Sequence, residues 1–193
     1  MAVSDVSVCS NALQRLGADP ISALNQAVKR AQVAANLFPV ERDALLRAHP
    51  WNFATRSELL APDATAPAFD FAARFAVPAE WLRTLQVGTR SQRLVWRQEG
   101  RYILCDESVL PLRYVYANTD LGSWDAKVVH ALELRMAAAM AYAITQSASL
   151  RDQMLAEAEA AFKQAKTLDG QDEDGEEPFD HRQTGARYGR GRI

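Results

Sequence analysis

Hydrophobic positions in the first part of this chain recur at helical intervals. Val6, Cys9, Leu13 and Leu16 step by three and four, Ser4 or Asp5 stands at a capping position, and Gly17 offers a permissive end, which predicts a first helix with one buried face. After a connector over residues 18–26, the spacing resumes from Val28 to His49 through Val33, Leu37, Val40, Ala44 and Leu45. Pro39 falls inside that stretch. Its missing amide and its clash with the preceding turn predict either a kink near Asn36 or two helices, with Pro39 in the first turn of the second. Pro50 disfavours helical geometry at His49 and ends the element there.

From Phe53 to Tyr116 the pattern alternates in short runs, punctuated by prolines and glycines. Arg93–Arg97 and Arg101–Cys105 flank Gln98-Glu99-Gly100 as a hairpin with glycine in its loop, and Leu112, Tyr114 and Tyr116 mark a further strand. Helical spacing returns after Trp124-Asp125. From Ala126 to Gln146 the apolar positions, Val128, Leu132, Met136 and Met140 among them, lie among so many alanines that most of the circumference is apolar. Such a helix belongs at the centre of a bundle or against a neighbouring subunit. Ser149-Leu150-Arg151-Asp152 has the form of a helix start, and Leu150, Met154, Ala158, Phe162, Ala165 and Leu168 then line one face up to Gly170.

This order predicts an α+β fold. Residues 1–50 and 124–170 form a helical bundle, residues 51–123 an inserted antiparallel β-rich lobe, and the two chain crossings lie side by side. Residues 171–193 are poor in apolar groups and rich in charge and glycine, so this tail is expected to be disordered in the free chain or ordered by a partner.

Composition narrows the chemistry. A chain of 193 residues can bury a core without metals or disulfides, and its two cysteines, Cys9 and Cys105, have no paired spacing and read as buried thiols. No apolar run approaches the roughly 20 residues of a membrane span, and MAVSDVSV lacks the features of a signal peptide, so a soluble product of the cytoplasm with no membrane anchor is expected. Net charge is −2, with seven acids and four arginines from Asp169 onward, which leaves the body within about one charge of neutral and gives no general attraction to DNA.

Catalytic patterns do not emerge. His49, His130 and His181 lie apart, without metal-ligand spacing. Glu157 and Glu159 are two residues apart on a helix and do not converge on a bond. No nucleophile elbow or Walker sequence is present, and GARYGRGR has neither the strand before it nor the helix after it that a glycine fingerprint needs. The expectation is a protein that is not an enzyme and has no cofactor or metal. His49-Pro50-Trp51-Asn52-Phe53 reads as packing between the two lobes, so that Trp51→Ala should cost about 3 kcal/mol. In the tail, an acidic block is followed by Phe179, Arg182, Arg187, Tyr188, Arg190 and Arg192, aromatic and arginine anchors of a kind that order on a partner.

Cys9-Ser10-Asn11-Ala12-Leu13-Gln14-Arg15-Leu16-Gly17 with Pro20-Ile21, and Arg42 to Ala54 with its RDALLRAHPWNFA run, resemble the tail tubular protein A family of short-tailed phages, the head-to-tail adaptor or gatekeeper. The resemblance covers residues 1 to about 168 in organisation, and its specific part is the Trp51–Phe53 junction. It implies a virion protein at the head-tail junction: a ring, usually of twelve copies, that docks under the portal protein, continues the channel for duplex DNA without reading its sequence, and receives the tail nozzle and the fibres or spikes. The tail anchors are then expected to meet the portal. A small DNA-binding or DNA-packaging accessory protein is the alternative expectation, and a lytic hydrolase a more distant one.

Overall fold

The computed structural model describes residues 3–92 and 94–171. The expected tail anchors Phe179, Arg182, Arg187, Tyr188, Arg190 and Arg192 lie outside the described residues, as does His181. The fold is α+β, with helices α1 (Asp5–Arg15), α2 (Lys29–Ala48), α3 (Ala126–Thr145) and α4 (Ala148–Asp169) around strands β1 (Thr55–Leu60), β2 (Ala73–Ala76), β3 (Trp81–Val87), β4 (Arg97–Glu99), β5 (Tyr102–Cys105) and β6 (Leu110–Tyr116).

Local chemistry sets the helix ends. Ser4 caps α1 in a reciprocal box with Ser7, and Gly17 closes it at φ 72°, with its amide on Gln14 and that of Ala18 on Leu13. That pair of bonds satisfies carbonyls the helix cannot. α2 is one helix with Pro39 inside it, so the two-helix alternative is set aside. His49 follows it in extended geometry, as the residue before a proline should. Asp125 caps α3 through the Lys127 amide. The start of α4 is corrected from the expected Ser149 box: Ser147 is the cap, accepting from the Leu150 amide, because Gln146 turns left-handed (φ 57°) and leaves only two residues between α3 and α4. So short a link makes the two helices antiparallel neighbours.

α3 is the hub, in contact with α1, α2 and α4, and Leu132, Met136, Ala137, Met140 and Ala141 are fully buried. It also corrects the expectation about apolar runs, since its 20 residues are long and apolar enough to cross a membrane by length and composition; here three helices pack around it.

The strands form two antiparallel three-stranded sheets, one in the order β1-β6-β3 (sheet A) and one in the order β2-β5-β4 (sheet B). The expected hairpin is present but shifted. Arg93 is outside the described residues, Leu94–Trp96 lie outside the strand, only Arg97–Glu99 pair with β5, and Gly100 at φ 57° opens a two-residue turn between Glu99 and Tyr102.

Three layers result. On one face of sheet A, Leu110, Leu112 and Tyr114 meet Phe75, Ile103 and Cys105 of sheet B in one core cluster. On the other, Val115, Leu82 and Leu85 join the helical core. Leu82 and Leu85 are three apart in β3 and still share a face, because register shifts at Trp81/Arg83 and Thr84/Gln86 leave each of them unpaired and turned to the helices. The helices and sheet A therefore share a core, and the change of secondary structure at residue 51 is not an edge of it.

Candidate interaction surfaces

The junction at residues 49–53 binds four parts of the chain together. Trp51 is fully buried and its indole N–H donates to the Leu45 carbonyl (3.1 Å), one of the last in α2 without a helical partner. Around it His49 packs edge-on at 4.6 Å between ring centres, Phe162 of α4 edge-on at 5.8 Å, and Phe53 stacked at 5.9 Å. Phe53 in turn stacks on Trp124 at 5.2 Å, and its carbonyl accepts from Asn118 Nδ2 at 3.0 Å. The chain leaves the helices and returns to them at one place.

Asp169, the last residue of α4, completes this junction. One carboxylate oxygen lies 3.0 Å from His49 Nε2 and the other accepts from the Asn52 amide at 3.2 Å, while Asn52 Nδ2 donates to the Asp169 carbonyl at 3.3 Å. The Asp169 side chain is 9% exposed. His49 is thus occupied in a structural contact. His130 is half-exposed beside Arg15 and Glu133, and Glu157 and Glu159 are exposed on α4. Among the described residues no group of three His, Cys, Asp or Glu could hold a metal ion. Both thiols are buried and their ionisation is suppressed by that burial, Cys9 being pushed up to about 12.

Two surfaces have apolar floors. The first is a groove of about 270 Å³ between α3 and α4, floored by Ala138, Ala139, Ala158 and Phe162 with exposed Leu155 on its lip. Glu41 of α2 and Arg135 of α3 close one end through a two-nitrogen contact at 2.9 and 3.1 Å. The small side chains of α3 that let helices approach inside the bundle also leave this groove outside it.

The second is a cleft of about 370 Å³ on the outer face of sheet B, where the segment before β2 folds over Tyr102 and Leu104. Asp63 fixes that segment: its carboxylate accepts from the Thr65 amide and from Arg74, which hold it below the usual carboxylate range, and Arg74 lies 4.5 Å over the Tyr102 ring. Phe69 stands 72% exposed at the lip, beside Asp70 at φ 69°. Sequence periodicity singled out the apolar faces of α3 and α4 but not the groove between them, and it did not mark the cleft on sheet B, for which Phe69 and Phe71, flanking one aspartate, were the available signal. No protein-family model matches the chain, and no curated protein matches it as a relative.

Proposed function

We propose that this chain is a structural subunit of a head-to-tail adaptor ring in a short-tailed phage. The observation that carries the reading is the pair of unlike apolar surfaces, one in the helical layer and one on sheet B with sheet A between them. A subunit that meets its neighbours head to tail needs two different complementary patches on one chain, and such contacts close into a ring when the rotation permits. The likeness of residues 9–21 and 42–54 to the tail tubular protein A family gives the machine to which the ring belongs.

In this reading the ring, of about twelve copies as in that family, sits under the portal protein at the head-tail junction of the virion, receives the nozzle and fibres or spikes, and passes duplex DNA. The near-neutral body favours passage, since strong phosphate contacts would hold the DNA. Phe179, Arg182, Arg187, Tyr188, Arg190 and Arg192 are the residues proposed to anchor on the portal. The protein works by assembly and gating, with no catalytic turnover and no cofactor.

Light scattering of the full chain, alone and mixed with portal rings, tests this. Rings are expected on the portal template, and Leu155→Asp and Phe69→Asp should each prevent closure. A chain that stays monomeric beside portal rings would reject the adaptor. Salt-sensitive binding of duplex DNA by that monomer would move the assignment to a DNA-packaging accessory protein.

A further inference from the structure

Sheet A is only partly covered by the helices. Val115, Leu82 and Leu85 carry the covered end, where Arg47 of α2 donates to the Leu82 carbonyl and Arg83 to the Arg47 carbonyl at 3.1 Å. Further along the same face, Ser57 stands opposite Arg113, Leu59 opposite Pro111, and Gln86 beside Arg113. No helix reaches these residues with a core contact: they line an open groove of about 300 Å³, to which Arg90 also contributes, and Leu59 is 73% exposed.

The charge of this face is one-sided. Register places Thr55, Ser57, Leu59, Pro111, Arg113, Val115, Arg83 and Gln86 on it, and none is a carboxylate. Glu58 borders the groove, but it pairs with Leu112 on the opposite face and accepts from the Tyr114 hydroxyl at 2.9 Å. An apolar side chain on the same uncovered end of a sheet as Arg113 calls for an acidic segment with one hydrophobic residue.

The chain contains such a segment. Residues 172–180 carry six carboxylates and Phe179, and they follow directly on the anchored Asp169. Reach is sufficient: from Asn52, where Asp169 is bound, seven residues of chain lead to Leu59, at most about 24 Å, whereas ten residues from Asp169 to Phe179 span up to about 33 Å.

We propose that residues 172–180 dock on their own chain, running beside β1 so that Phe179 covers Leu59 and Pro111 while the carboxylates face Arg113. The docked segment would complete the cover of sheet A that α2 begins. Docking would withdraw Phe179 from the portal contact proposed above and leave Arg182, Arg187, Tyr188, Arg190 and Arg192 as the anchors still available to it. The inference rests on charge, reach and the uncovered face, and not on the adaptor reading.

Disulfide trapping in the full chain tests it. Leu59→Cys with Phe179→Cys is compared with Val40→Cys with Phe179→Cys, Val40 being exposed on α2 and well within reach of the same segment. Cys9 and Cys105 are buried and stay out of the reaction. Under mild oxidation at micromolar protein the Leu59 pair should close within one chain on the order of a hundredfold faster than it links two chains, because a short tether gives a millimolar effective concentration. It should also close about tenfold faster than the Val40 pair, and Arg113→Glu should remove most of that advantage. Equal rates for the two pairs, or no effect of Arg113→Glu, would overturn the proposal. Disulfide-linked dimers in place of closed monomers would assign the groove to the segment of a second copy, and would overturn docking on the same chain.

Discussion

The two faces of sheet A are held in different ways. Toward the helices it shares a core assembled from both ends of the chain, with fully buried Trp51, Leu132, Met136 and Met140. Toward sheet B it meets a smaller cluster built from the middle of the chain alone, centred on Phe75, Ile103 and Tyr114. Sheet B has short strands, and all three residues of β4 are exposed. The same strand, β6, serves both cores by alternation, sending Leu112 and Tyr114 one way and Val115 the other. A sheet between unequal partners should loosen first on its weaker side, so opening of sheet B is expected at lower free energy than opening of the helices.

The strongest test of that contrast is Trp51→Ala. Loss of a fully buried indole, its rings against His49, Phe53 and Phe162, and its bond to Leu45 should cost at least the ~3 kcal/mol expected from the sequence and lower the urea midpoint of the whole molecule. Unchanged melting would remove the junction from the account of stability. Phe75→Ala should cost about 3 kcal/mol but act locally: hydrogen exchange should quicken in β2, β4 and β5 while α3 keeps its protection. Equal acceleration in α3 would mean that the two cores open as one.

A smaller effect is expected from Asp169→Ala, about 1–2 kcal/mol, through the contacts with His49 and the Asn52 amide. Exchange at the Asn52 amide should report it, and a slow amide in the variant would count against the Asp169 contact. Smallest is the effect of Asp63. Its carboxyl is held low chiefly by the Thr65 amide and then by Arg74, so its contribution is present above the ordinary carboxylate pKa and fades as pH falls through the lower folded value. Between pH 5 and 3, about the range of an ordinary carboxylate and just below it, the wild type should lose slightly more stability than Asp63→Asn; parallel curves would show the contact to be inconsequential.

Much of this architecture was legible in one dimension. The cap at Ser4, one of the two candidates Ser4 and Asp5, the stop at Gly17, the extended residue before Pro50 and the alanine-rich hub helix each follow from short-range sterics or from period. The two misplaced elements have different causes, one in strand pairing and one in a local turn. Leu94, Val95 and Trp96 form a short apolar run of the kind a buried strand shows, yet only Arg97–Glu99 find a partner in β5, because pairing depends on what lies opposite. Ser147 takes the cap from Ser149 because the left-handed Gln146 has already reversed the chain.

Sequence by itself determined the identity and order of the helices, the β-character of the middle, and the return of the chain beside its point of departure, since these are fixed by periodicity, proline and glycine geometry, and the need to bury one face of each element. Only the tertiary structure decided that sheet A lies between two cores, that bulges turn Leu82 and Leu85 toward the helices, that Asp169 fastens α4 to His49 and Asn52, and that Leu59 and Arg113 share an uncovered face. Those facts join residues far apart in the chain. Which of them meet depends on register and layer order, which no local window of sequence contains.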